Sequence, residues 1–171
     1  MKYAKIMPND TVDGEGICVS FWTQGCPHRC KGCHNPETWS FDAGIEEDDF
    51  QIIMKIINLI TKDGVNRNLS ILGGEPLCPQ NKGFILRLVS AAKLYYPNIK
   101  IFLWTGYTIE ELVLDEECKR ILWFVDKLID GRFEKDKKDL SLYLRGSSNQ
   151  RIFSKPEIIE YLTIKEQKSN E

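Results

Sequence analysis

The chain has 171 residues, 42% of them hydrophobic, with 23 Lys and Arg against 25 Asp and Glu for a formal charge of −2. At roughly 150 residues per domain this is one domain, long enough to bury a core without disulfide staples and short of the about 250 residues typical of a complete eightfold β/α barrel. The composition excludes bulk disorder, and interspersed charges of both signs leave no electrostatic footprint for nucleic acid or an anionic membrane.

Ile17 to Thr23 is β-branched and aromatic and stops at Gln24-Gly25, which reads as a first strand. A loop with clustered cysteines follows. From Glu46 to Thr61 the apolar residues Phe50, Ile53, Ile56, Ile57 and Ile60 recur at helical spacing, with acidic residues in the first turn and Gly64 beyond the end. Leu69 to Leu72 is a short buried strand halted by Gly73-Gly74, and Phe84 to Tyr96 returns to helical period until Pro97. A third strand, Ile99 to Thr105, ends at Gly106. Thr108 caps a short helix with Glu111 placed for a capping box, and Cys118 to Phe124 adds a helical turn or two. Val125 to Ile129 is a fourth strand closed by Asp130-Gly131. Glu134 to Asp139 reads as a solvated loop, followed by Leu140 to Leu144, a polar stretch from Arg145 to Arg151, and Ile152-Phe153. The expectation is four clear strands plus one or two weak ones after Asp130, in a single domain over residues 1–164 with a frayed tail at 165–171.

Strands separated by helices imply right-handed crossovers and a parallel sheet, whose ligands sit at the carboxyl ends of the strands. The cysteine loop, Gly73-Gly74, Gly106 and Gly131 all fall at such ends.

Met1 to Asp10 has no apolar signal-type core, and no stretch approaches the ~18 apolar residues of a spanning helix, so the expected location is the cytoplasm. There, Cys18, Cys26, Cys30, Cys33, Cys78 and Cys118 are poor candidates for a disulfide framework, and clustered cysteines point to metal or redox chemistry. Cys26-Pro-His-Arg-Cys30-Lys-Gly-Cys33 places three soft thiolates in one loop. Three readings are open on spacing alone: a zinc loop with His28 or His34 as fourth ligand, a closed electron-transfer cluster completed by Cys78, or a [4Fe–4S] cluster with one iron left free for a ligand. Isolated Cys18 and Cys118 read as core residues.

The cysteine loop resembles the signature of the radical S-adenosylmethionine (SAM) superfamily. The likeness extends in order through Phe21 to Trp39, Leu72-Gly-Gly-Glu-Pro-Leu77, Leu103-Trp-Thr-Gly-Tyr107, Asp130-Gly-Arg-Phe133 and Arg145 to Ile152, a set similar to the anaerobic (class III) ribonucleotide reductase-activating proteins. The resemblance implies a partial, open β/α (TIM-like) barrel of the radical SAM type, an α/β fold with a mostly parallel sheet. It implies a [4Fe–4S] cluster on Cys26, Cys30 and Cys33, with SAM contacted by Gly32, Cys33 and His34 near the adenine and by Gly73, Gly74 and Glu75 near the methionyl ammonium. Two adjacent glycines at a strand end also make physical sense alone, because backbone without side chains can approach a ligand closely. Gly32 departs from the aromatic residue that many superfamily members carry before the third cysteine. Asn35-Pro36 is equally suited to starting a short helix.

Trp104, Thr105, Gly106 and Asp130 end later strands near this site, and core packing is the preferred role of Trp104 and Thr105. No paired carboxylates, Ser-His arrangement or Walker sequence is present, in keeping with radical chemistry carried by cofactors and not by catalytic side chains. The implied activity is generation of a glycyl radical on the large subunit of an anaerobic ribonucleoside-triphosphate reductase, with a low-potential donor such as flavodoxin and without nucleic acid or membrane partners. For the Arg145 to Arg151 segment the resemblance implies a partner contact or a site cover. A radical SAM synthase acting on a small molecule and a non-enzymatic iron–sulfur or zinc module are the alternatives.

Overall fold

Seven strands share one sheet in the computed structural model, which describes residues 1–168. They are β1 (Lys2–Asp10), β2 (Cys18–Thr23), β3 (Ile45–Glu46), β4 (Asn68–Gly73), β5 (Ile101–Trp104), β6 (Lys127–Asp130) and β7 (Arg151–Ser154), in the spatial order β3-β1-β2-β4-β5-β6-β7. The four central strands β2, β4, β5 and β6 are parallel. Their crossovers run through α1 (Asp49–Ile60), α2 (Lys82–Tyr95), and the short α3 (Ile109–Leu112) and α4 (Glu116–Leu122). Antiparallel β1 and β7 flank this core, and β3 and β7 form two open edges.

The expected strands at 17–23, 69–72, 99–105 and 125–129 are β2, β4, β5 and β6, with ends displaced by at most two residues. Strand β7 is the weak Ile152-Phe153 run. The sequence count is corrected at the amino terminus: β1, the longest strand, was not expected, nor was β3. Register shifts between Tyr3 and Lys5 and between Met7 and Asp10 break its alternation, and Pro8 falls within the second. A bulged strand with an internal proline carries no period-two signal. Leu140 to Leu144 forms no strand. A carboxy-terminal helix α5 (Lys155–Lys168) extends through the first four residues of the expected frayed tail, and 169–171 lie outside the described residues.

Side-chain alternation gives the sheet two different faces. Val19, Phe21, Leu69, Ile71, Ile101, Leu103 and Leu128 point into the main apolar core with the helices. Helix α1 contributes Ile52, Ile53, Ile56, Ile57 and Ile60, each worth about 1.5–3 kcal/mol on burial. Phe50, expected on that face, is instead 69% exposed, and Ile52 takes the core position. Asp48 caps α1 by accepting from the Phe50 and Gln51 amides, and the capping box at α3 forms between Thr108 and Glu111. The alternate residues Trp22, Leu72 and Trp104 point to the opposite face, where loops and not helices provide the cover.

Candidate functional site

A cavity of about 470 Å³ lies on this loop-covered face, at the carboxyl ends of β2, β4, β5 and β6. Cys26, Cys30 and Cys33 line it, together with Gly73 and Gly74. All three cysteines are free and half-buried, and burial pushes the Cys26 and Cys30 thiols up from the ordinary thiol value. The loop is anchored at its entry, where the Cys26 amide donates to the Trp39 carbonyl at 3.0 Å, and it turns back at its exit through Cys33 N–H to Cys30 O, also 3.0 Å.

The sheet register sets the Gly-Gly segment beside this loop. The Gly74 amide donates to Thr23 O and the Glu75 amide to Gly25 O, both at 2.9 Å. Gly73 has φ +102°, and a Cβ there would stand 2.8 Å from the Thr23 backbone. A side chain is excluded on both grounds.

Glu75 is 1% exposed, and protein donors occupy its carboxylate. Oε1 accepts from the Leu77 amide (2.9 Å) and the Thr105 hydroxyl (2.7 Å). Oε2 accepts from the Gly106 amide (2.7 Å) and lies 2.9 Å from His28 Nε2. Glu75 therefore joins the loops after β4 and β5 to the cysteine loop, and it lines the cavity next to Gly73 and Gly74. The side chain of Asn81, ahead of α2, adds bonds to Gln24 O (3.1 Å) and Glu75 O (2.9 Å).

Of the other expected residues, Cys33 and His34 line the cavity, and the His34 ring lies 5.2 Å from that of Phe133. Gly32 is exposed with φ +77°, faces the aliphatic stem of Lys135, and is not part of the lining. Asn35 and Pro36 begin a 3-10 turn, Pro36–Thr38, without a side-chain cap. Trp104 lines the cavity and donates its indole N–H to Leu144 O at 2.8 Å. Thr105 is spent on Glu75. Asp130 is fully buried away from the lining, where it takes the Ile109 amide and the Arg151 guanidinium. Cys18, Cys78 and Cys118 are buried, and burial drives Cys78 up to about 11 and Cys118 up to about 12.

Sequence reasoning passed over several lining residues: Val12, Asp13, Trp39, and Leu140, Leu142 and Leu144. Asp13-Gly14 carries an ordinary turn signal. The alternating leucines look like a strand, yet they drape over the cavity because Trp104 holds Leu144 and Tyr143 donates to Glu15 at 2.6 Å. Two lining residues hold buried donors without partners, Trp39 Nε1 and Arg145 Nε. Such atoms suit a ligand rich in hydrogen-bond acceptors.

The family described as "4Fe-4S single cluster domain" matches residues 12–153. Anaerobic ribonucleoside-triphosphate reductase-activating proteins from Pasteurella multocida (strain Pm70) and Haemophilus influenzae are each 40% identical to this chain over 154 and 153 residues, covering 90% and 89% of it and 97% of each relative. The protein of that name from Escherichia coli K12 is 38% identical over 153 residues, 88% of this chain and 96% of the relative. The chain belongs to the anaerobic ribonucleoside-triphosphate reductase-activating protein family.

The donor set of this activating-protein family member fits an iron–sulfur cluster better than a zinc ion. Three free thiols face one cavity, while both ring nitrogens of His28 are engaged, Nε2 with Glu75 and Nδ1 as acceptor from Arg132 Nε at 3.2 Å. Among the described residues no three His, Cys, Asp or Glu side chains gather as closely as a single metal ion needs. No helix among them is long and apolar enough to cross a membrane.

Proposed function

We propose that this protein is the activating enzyme of an anaerobic ribonucleoside-triphosphate reductase, working through SAM at a [4Fe–4S] cluster. The observation that carries the reading is the convergence of Cys26, Cys30, Cys33, Gly73 and Gly74 on one cavity. When bound and reduced by one electron, cluster and SAM together supply homolytic cleavage of a carbon–sulfur bond and a 5′-deoxyadenosyl radical that takes hydrogen from a backbone glycine of the reductase.

The three cysteines hold the cluster and leave one iron without a protein thiolate. Gly73 and Gly74 let their backbone approach the methionyl end of SAM, and Cys33 and His34 border the adenine end. Trp22, Trp39 and Phe133 keep water from the reacting atoms. The volume suits a ligand of nucleoside size. An open sheet, with its four parallel strands flanked by antiparallel β1 and β7 and its edges at β3 and β7, is in keeping with a partial barrel that a loop of a large protein substrate can enter. A low-potential carrier such as flavodoxin supplies the electron, and the setting is cytoplasmic.

Anaerobic reconstitution with iron and sulfide, followed by SAM, reductant and the reductase, tests this reading. The expected result is a doublet glycyl radical signal on the reductase in electron paramagnetic resonance (EPR). Zinc without sulfide in the anaerobically purified protein, or a cluster indifferent to SAM, overturns it. SAM cleavage without a radical on the reductase points to a small-molecule synthase.

A further inference from the structure

One imidazole touches the loops that follow all four parallel strands. His28 belongs to the cysteine loop after β2. Its Nε2 meets Glu75 after β4 at 2.9 Å, its ring lies edge-on to Tyr107 after β5 with centroids 4.5 Å apart, and its Nδ1 accepts from Arg132 after β6. Because Nδ1 is an acceptor, Nε2 carries the hydrogen and donates to Glu75. The side chain is 6% exposed although its own loop is at the surface.

Gly106 gives independent support. A Cβ there would stand 2.4 Å from His28 Cδ2 and 2.7 Å from Nε2, and the three nearest heavy atoms all belong to His28. Gly106 is not in the left-handed region, so its backbone would accept alanine. The seat of the His28 ring is therefore what requires glycine at position 106, and Glu75 below it is held in place by the Thr105 hydroxyl and Gly106 amide. Ring, glycine and carboxylate form one fitted unit.

The geometry points to His28 as the positioning residue of the cysteine loop: through Glu75 and Gly106 it fixes the three thiols relative to the Gly73-Gly74 backbone. This rests on the cluster-and-SAM reading for its purpose, but the fit of ring to glycine stands without it. It also explains a histidine between two cysteines without making it a ligand. The role is one of positioning: His28 borders the cavity, but both of its ring nitrogens are committed to Glu75 and Arg132.

The test compares His28→Ala, His28→Gln, Gly106→Ala and the double variant His28→Ala/Gly106→Ala. In the metal-free protein, Gly106→Ala should lower the melting temperature by about 5 °C through overpacking, whereas the same change in the His28→Ala background should cost less than about 1 °C. In reconstituted protein, His28→Ala should retain iron and sulfide but lose the change in the reduced-cluster EPR spectrum on adding SAM. His28→Gln, whose amide can still donate to Glu75, should restore part of that response. Equal melting-temperature losses in both backgrounds, or an unaltered SAM response in His28→Ala, would overturn the proposal. If wild-type protein assembles no cluster at all, the functional reading fails, while the metal-free melting comparison still decides the His28–Gly106 unit.

Discussion

Gly74 lies against Gly25 so closely that a Cβ on Gly74 would stand 2.5 Å from the Gly25 carbonyl oxygen. That oxygen accepts the Glu75 amide at 2.9 Å, so one backbone contact joins the chain entering the cysteine loop to the Gly-Gly turn. Gly74→Ala must push these two strand ends apart. The expected cost is about 1–3 kcal/mol in the metal-free protein, with reduced iron incorporation on reconstitution. Chemical denaturation and iron analysis check it, and wild-type values in both would show that the contact is compliant.

The six cysteines should separate into two groups. Cys26→Ala, Cys30→Ala and Cys33→Ala each remove a lining thiol and should abolish cluster assembly. Cys18→Ala and Cys118→Ala should retain it and lose only packing, about 1–2 kcal/mol each, because both side chains are buried in the core. Cys78→Ser distinguishes an open cluster from a closed one: iron and sulfide content unchanged, with the SAM response intact, is the expected outcome. Loss of the cluster in Cys78→Ser would make it the fourth ligand.

Asp13 lines the cavity, and burial together with the adjacent Asp10 carboxylate pushes its own carboxyl up to about 6 from an ordinary 3.8. The folded chain therefore keeps a proton that the unfolded chain releases between about pH 4 and pH 6. This stabilising contribution is complete below pH 4 and lost as pH rises through 6. Asp13→Asn removes that dependence, so the melting temperature of the variant should gain on wild type across this window and run parallel above it. Curves parallel from pH 4 to pH 7 would contradict the assignment.

Arg151 at the start of β7 binds Asp130, which is fully buried, and Glu110 on α3, which accepts from it at 2.7 and 3.0 Å. Arg151→Ala leaves the Asp130 charge with the Ile109 amide as its remaining partner in the structure. A loss of about 2–3 kcal/mol is expected, the lower end for a buried pair because the guanidinium is 41% exposed. Hydrogen bonds from Arg151 also hold Glu110 down to about 2 against an ordinary 4.5. Its contribution is present above pH 4.5 and fades as pH falls towards 2. Arg151→Lys should recover only part of both effects, because an ammonium lacks the planar fork. Urea unfolding at pH 7 and pH 3 measures them, and an Arg151→Ala variant as stable as wild type would remove the pair from the account.

The spacing of Cys26, Cys30 and Cys33, the glycines at 73, 74 and 106, and the periodicities of α1 and α2 are properties of neighbouring residues, and sequence alone determined them. They were enough to place four parallel strands and to bring the cysteine loop and the Gly-Gly turn to the same sheet end. Bulged β1 escaped because its alternation is broken, and the leucines at 140–144 gave no sign of lining a cavity because an alternating run is the same in a strand and in a cover. What only the tertiary structure decided are relations across the chain: the carboxylate of Glu75 turned to Thr105 and Gly106, His28 seated on a glycine 78 positions away, and the cavity on the sheet face opposite the helices. Those contacts depend on which strands become neighbours. Strand order is set by burial of the whole apolar face at once, so no short window of residues encodes it.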